Sequence, residues 1–226
     1  MTERGILFSA PMVRALLDGT KTQTRRVVKP QPESWQSLQP MWGTSPPPNP
    51  VAFGRPGVVR PVATDWPDSA DDDILCPYGV PGDRLWVRET WAKPTTLDPG
   101  PTFYRADYPA CAVGFTNLPP GDEITWKPSI HMFRKDSRIL LEITGVRVER
   151  LQDISEADAI AEGIEQMPCA VPDTRMWRNY DPSNGWTPKV AIPQNSYRSL
   201  WDSINGAGSW AANPWVWVVE FKRVTP

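Results

Sequence analysis

The sequence predicts an α+β fold in which a small β-barrel carries a few peripheral helices. Short segments with period-two apolar alternation recur between turn residues, and no strand–helix–strand repeat links them. Of the 226 residues, 40% are hydrophobic and twelve are tryptophan, ample material for one core. Length and pattern together describe a single domain spanning residues 1–226, interrupted by insertions.

Ser9 suits the N-cap of a first helix, Pro11 its first turn, and Val13, Leu16 and Leu17 form an apolar stripe at helical spacing. Gly19 supplies the left-handed residue that closes it. Residues 31–73 break the pattern. Pro46-Pro47-Pro48, Pro50, Pro56, Pro61 and Pro67 remove ladder donors and resist helix, so an extended surface loop is expected, with a short strand near Val58-Val59. Trp35, Met41, Trp42, Phe53 and Trp66 can pin that loop to the barrel, and a lid over a pocket is the functional alternative. Pro81-Gly82 reads as a type II turn leading into a strand from Leu85 to Thr90. Phe103 to Ala106 reads as another short strand.

The clearest β segment runs from Arg138 to Leu151. Its apolar face passes from Ile139, Leu141 and Ile143 to Val146 and Val148, which predicts a bulge or bend at Gly145. Ser155-Glu156-Ala157-Asp158 approximates a capping box for a helix that buries Ala157, Ile160, Ala161 and Ile164. Residues 167–193 are expected to form a second irregular insertion. Asn195 or Ser196 then caps a helix with Tyr197, Leu200, Trp201 and Ile204 on one face and Gly206 at its end. The last strand places Trp215, Trp217, Val219 and Phe221 together.

Charge narrows the partners. With 24 basic and 26 acidic residues, the chain lacks the excess that coats a nucleic-acid backbone, so any nucleic-acid contact should be local, one nucleotide in a pocket. Cys76, Cys111 and Cys169 are odd in number and widely spaced, which predicts no disulfide framework. With His131 as the only histidine, no metal site is expected. No signal-peptide pattern and no apolar run near ~20 residues is visible, which predicts a cytoplasmic protein without membrane contact.

The chemistry concentrates in Gly19-Thr20-Lys21-Thr22-Gln23-Thr24-Arg25-Arg26, directly after the first helix. A lysine beside hydroxyls can activate a nucleophile, and arginines bind phosphate or carboxylate. The same residues also read as a basic turn opening an edge strand. Lys21 acts as a base only if burial or neighbouring cations pull its pKa well below ~10.4. Arg25 and Arg26 are close enough in sequence to help. On an extended segment Thr24 shares a face with Thr22 and can act as a nucleophile or hydrogen-bond a substrate oxygen.

Three further blocks follow in order: Gly82-Asp83-Arg84-Leu85-Trp86-Val87, then Leu151-Gln152-Asp153-Ile154-Ser155 leading to Ala161-Glu162-Gly163-Ile164, then Trp215 to Phe221. In this order the elements resemble the ASCH domain family, PUA-like β-barrels associated with RNA and modified nucleosides. The opening Ile6-Leu7-Phe8-Ser9-Ala10-Pro11 and the run Trp126 to Met132 look like the longer members found in bacteriophage and prophage genomes. The resemblance covers most of the chain outside the proline-rich segment. It implies an amidohydrolase that removes the acyl group of an N4-acetylcytidine-like substrate without a cofactor. The family lysine and threonine fall on Lys21 and Thr24, the glutamate on Glu162, and the arginine on Arg26. Read from its helix alone, Glu162 lies off the apolar stripe and is an ordinary solvated carboxylate.

The remaining candidate contacts to substrate are Thr22, Trp86, Arg88, Glu89, Trp126 and His131. Tryptophans 86, 91 and 126 offer stacking faces worth ~1–3 kcal/mol per base, and equally suit a core. Arg88 and Glu89 point to opposite faces of their strand, so one of them should face the barrel interior or a cleft. Alone, His131 builds no histidine dyad. This chain is longer than the compact amidohydrolases and adds the proline-rich insertion. Two readings therefore stand beside the enzyme: a pocket that binds a modified base in RNA or DNA without chemistry, and a phage accessory protein that keeps the fold alone.

Overall fold

A computed structural model describes residues 1–29, 31, 58–59, 74–93, 101–181 and 189–225. In chain order its elements are β1 (Glu3–Leu7), α1 (Ala10–Leu17), β2 (Gln23–Val27), β3 (Val58–Val59), β4 (Ile74–Leu75), β5 (Arg84–Arg88), β6 (Trp91–Ala92) and β7 (Phe103–Tyr104). They continue with β8 (Leu140–Arg150), α2 (Glu156–Ala161), β9 (Gln166–Met167), β10 (Met176–Arg178), β11 (Lys189–Val190), α3 (Pro193–Asn205) and β12 (Trp215–Val224). The proline-rich loop expected over 31–73 lies outside the described residues apart from Gln31 and the short strand β3, which pairs with β4.

A five-stranded sheet in the order β1-β5-β8-β12-β2 organises the molecule. Only β1 and β5 run parallel; the other pairs are antiparallel. Strand β12 sits between β8 and β2, and Val216, Trp217, Val218 and Val219 are all buried. A strand covered on both faces reads as a continuous apolar run, so the alternation expected for Trp215 to Phe221 captures only one of its faces. The bulge forms where the glycine announced it. Glu220 pairs with Gly145 and Phe221 with Ile143, which leaves Thr144 as the extra residue of β8.

The fold is mixed α+β and sheet-rich, but the described strands do not close into a barrel. Strands β1 and β2 are the two free edges, and α1 connects them. A side chain bridges the edges instead of a ladder: Arg26 Nη2 donates to the Leu7 carbonyl at 2.9 Å. Helix α1 buries Met12, Val13, Ala15 and Leu16 and ends at Gly19 with φ of 75°, as its sequence predicts. Gly82, at φ 92°, makes the turn before β5, and Asp83 N–H closes it on Val80 O at 2.9 Å.

The described residues between 167 and 193 are more regular than expected. Strands β9, β10 and β11 form a small antiparallel sheet that supports α3, where Ser196 Oγ donates to Arg178 O at 2.6 Å and Tyr180 N–H to Ser199 Oγ at 2.9 Å. Helix α3 starts earlier than its polar residues suggested, with Ile192 at the N-cap and Pro193 in the first turn. Proline is preset for that position, and this outweighs the missing polar cap. A separate apolar cluster of Ala92, Phe103, Ala112 and Ile124 lies beyond β5, tied on by Arg138, which binds both Glu89 and Asp107.

Candidate active site

The segment before β2 is fixed from two sides. Thr20 N–H and Lys21 N–H both donate to the Ala15 carbonyl, at 2.9 and 3.1 Å, anchoring the turn to the end of α1. On the other side, successive residues bind carbonyls of the last turn of α2, of which that of Asp158 also accepts Glu162 N–H. Lys21 Nζ reaches Glu162 O at 2.7 Å, Thr22 N–H reaches Ala161 O at 2.9 Å, and Gln23 Nε2 reaches Asp158 O at 3.1 Å. A helix end leaves its final carbonyls without intrahelical donors, and a cation there also complements the helix dipole. Lys21 is therefore a helix cap as well as a member of the site.

Its carboxylate partner is the one named from the sequence. Glu162 is the C-cap residue of α2, and its Oε2 lies 3.0 Å from Lys21 Nζ. The other carboxylate oxygen receives Arg25 Nη1 at 3.2 Å. Both Lys21 and Glu162 are buried, 4% and 3% exposed, which overturns the solvated-helix expectation for the glutamate. Burial drives the Lys21 pKa below its ordinary value; Glu162 opposes this through its charge and hydrogen bond, while Arg26 and Arg25 add to the lowering. Lys21 Nζ also sits 5.4 Å from the Phe8 ring centre.

Gly163 makes the approach possible. It has φ of 82°, and a Cβ there would lie 2.8 Å from the Cβ atoms of both Ala15 and Lys21. Gly163→Ala combines left-handed backbone strain with overpacking and should cost about 2–4 kcal/mol of stability, read from urea unfolding midpoints. An unchanged midpoint would show that the backbone there yields freely.

Arg25 joins this pair to a wider ionic cluster. Its Nη2 lies 3.0 Å from Glu149 and 3.5 Å from Asp158, and its side chain has no exposed surface. Arg147 binds Glu149, Glu220 and Asp158 from the next strand but one. Burial pushes the Asp158 pKa up, but the Ser155 hydroxyl and the charges of Arg25 and Arg147 outweigh it and hold the carboxyl below its ordinary value.

A cavity of about 580 Å³ opens beside this network. Its wall includes Lys21, Thr24, Arg26, Arg88 and Glu162 of the expected set, with Phe8, Tyr78, Tyr197 and Trp201. Thr24 is buried, and among the described residues its hydroxyl has no hydrogen-bond partner. Tyr197 lies fully buried near Glu162, and burial first, then the glutamate charge, raises its phenol pKa well above the ordinary value. A second hollow, along Gln166 to Arg175, is open to solvent and contains none of the candidates.

The other expected contacts go elsewhere. Thr22 is exposed, and its backbone joins Ala161 to Phe221 rather than facing the cavity. Glu89 points away from Arg88, as the pleat requires, and pairs with Arg138; burial raises its pKa against that partner. Trp86 is half-buried with the Arg88 guanidinium 5.1 Å from its ring. Trp126 packs on the second apolar cluster and donates to Gly121 O at 2.8 Å. His131 is exposed on a short turn. The stripe of α3 expected from the sequence has a second use that was missed: Tyr197, Leu200, Trp201 and Ile204 form a cavity wall, and the first three are also packed. Nothing in helical spacing separates those two uses.

Among the described residues no group of three histidine, cysteine or acidic side chains is placed to hold a metal, and no helix is long and apolar enough to cross a membrane. Comparison with protein-family models, curated proteins and solved structures returns no match to this chain.

Proposed function

We propose that the chain is a metal-independent amidohydrolase-type enzyme acting on an N-acylated nucleobase or nucleoside, on an ASCH-type, PUA-like small-barrel fold. One observation carries this most directly. A buried lysine with a lowered pKa is paired with a buried glutamate in the wall of a cavity that also contains a threonine. A charge-neutral cavity wall would not need an ion pair at this desolvation cost.

The chemistry follows from the partners. Arg25 also binds Glu162, so the carboxylate keeps a counter-charge when Lys21 gives up its proton. Neutral Lys21 then takes a proton from Thr24 or from a water as the oxygen attacks the amide carbonyl. The C–N bond breaks, the departing amine takes up a proton relayed through Glu162, and the acyl group leaves as a carboxylic acid once water has supplied its oxygen. Arg26 helps to orient the substrate. The cavity volume of about 580 Å³ suits such a ligand, since small-molecule sites span ~300–1,000 Å³.

Incubating the pure protein with a panel of N4-acylcytidines should release cytidine. The rate should rise with pH through the lowered pKa of Lys21, because base catalysis needs the neutral amine. Release of no nucleoside from any member would remove the enzyme reading and leave that of a modified-base binder. In that case Lys21 stays protonated as a hydrogen-bond donor, a role its present ion pair with Glu162 also fits.

A further inference from the structure

The reading of the cavity as a nucleoside site leaves two of its cations unexplained. Lys21 and Arg25 are neutralised by carboxylates. Arg26 and Arg88 also line the cavity, yet among the described residues neither has a carboxylate partner. Both are nonetheless held in place. Arg26 donates to Arg25 O at 3.2 Å and Leu7 O at 2.9 Å, with its guanidinium 5.3 Å from the Phe8 ring centre. Arg88 donates to Ile130 O at 2.6 Å and Met132 O at 3.2 Å while stacked against Trp86.

Leu7 lies between them, since its carbonyl receives Arg26 and its backbone pairs with Arg88 across β1 and β5. Gly5 leaves the room this needs: a Cβ there would be 2.9 Å from the Trp86 ring and 3.1 Å from Arg88 Cδ. Neutral carbonyls and ring faces orient a guanidinium without cancelling its charge. Two oriented guanidiniums without carboxylate partners therefore line one cavity, and their planar forks match phosphate oxygens.

We propose that this end of the cavity is a phosphate subsite, so that the ligand is a mononucleotide and not an uncharged nucleoside. The proposal rests on the nucleoside reading for the base alone. A single nucleotide fits the cavity volume, and a net charge of −2 does not favour a long strand.

Calorimetric titration of the wild-type protein with the common ribonucleosides and their 5′-monophosphates tests it. At least one monophosphate should bind about tenfold more tightly than its own nucleoside, with the advantage shrinking as salt rises. Arg88→Gln should bring that ratio close to one, and Arg88→Lys should keep part of it. If Arg88→Gln does not fold, the wild-type ratio and its salt dependence still decide the matter. Equal affinity for nucleoside and monophosphate throughout overturns the subsite. Tighter binding of a short oligonucleotide than of any monophosphate overturns the mononucleotide and assigns the charge to a strand. The N4-acylcytidine panel fails independently. No turnover with the phosphate preference intact sinks only the hydrolase, and turnover without the preference sinks only the subsite.

Discussion

Lys21→Met should lower turnover of an N4-acylcytidine by at least ~10²-fold, the ordinary scale for losing a general base. Methionine nearly preserves the volume and Arg25 still holds Glu162, but the buried pair and the cap on α2 are lost, so turnover is compared on protein that circular dichroism shows to be folded. Lys21→Arg should be equally inactive for a different reason, because a guanidinium keeps its proton near neutrality. The larger guanidinium must also fit where the buried ammonium meets Glu162 O, Glu162 Oε2 and the Phe8 ring, so this variant should lose ~1–3 kcal/mol of stability through overpacking. From sequence alone that variant would be expected to leave stability nearly unchanged; the burial of Lys21 argues for a loss instead. Retained turnover in Lys21→Arg would eliminate Lys21 as the base. Retained nucleoside binding without turnover in either protein would favour the modified-base binder.

The wild-type pH profile provides an internal check on the same residue. The folded-state pKa of Lys21 is lowered, so between that value and ~10.4 the unfolded chain binds the extra proton. The Lys21 contribution to stability therefore rises with pH across that window, which begins where the rate levels off.

The largest effect on stability should come from Arg25→Met, at about 3–5 kcal/mol, because removing one partner leaves buried charge uncompensated. Glu162, Glu149 and Asp158 all lose a contact, and Arg147 can still serve only the last two. The pH dependence separates this from a simple packing loss. In the wild type Asp158 has a lowered pKa, so its contribution is present above the ordinary carboxylate range and disappears as pH falls through its folded value. Without Arg25 one of the charges that lower the Asp158 pKa is gone, so the deficit of the variant should narrow as pH drops from 7 to about 3. An equal deficit at both pH values would make the arginine a packing element only. Denaturant titrations at the two pH values measure this.

Much of the site was legible because its residues are packed into one local segment. Lys21, Thr24 and Arg26 stand within a single turn and strand, and the resemblance supplied Glu162 from far along the chain. Arg25 was harder to weigh. Its importance comes from register: Arg25 and Arg147 are both opposite Val218 of β12, which sets them and Glu149 on one face of the sheet. Nothing in the local sequence around residue 25 announces a pairing two strands away. Isolated aromatic and polar candidates fared differently. Trp126 and His131 belong to the segment beyond β5, whose position depends on contacts distant in sequence: Arg138 bridging Glu89 and Asp107, Arg88 on Ile130 O and Met132 O, and the Trp91–Lys127 backbone pair. The turn glycines, the Gly145 bulge and the Ser155 cap were readable because each expresses a short-range backbone constraint, with the Ser155 hydroxyl accepting Asp158 N–H at 3.1 Å.

The cap that Lys21 places on α2 links two equilibria that are usually separate. The ammonium that satisfies the carbonyl of Glu162 is the group that, on the proposed mechanism, must turn toward a substrate. Anything that draws it away loosens the last turn of the helix, and anything that tightens that turn holds the lysine back; linkage makes the two effects equal in free energy. Occupancy of the cavity should therefore be recorded in the amide exchange of residues 159–163, including the helix positions 159–161 that do not line the cavity.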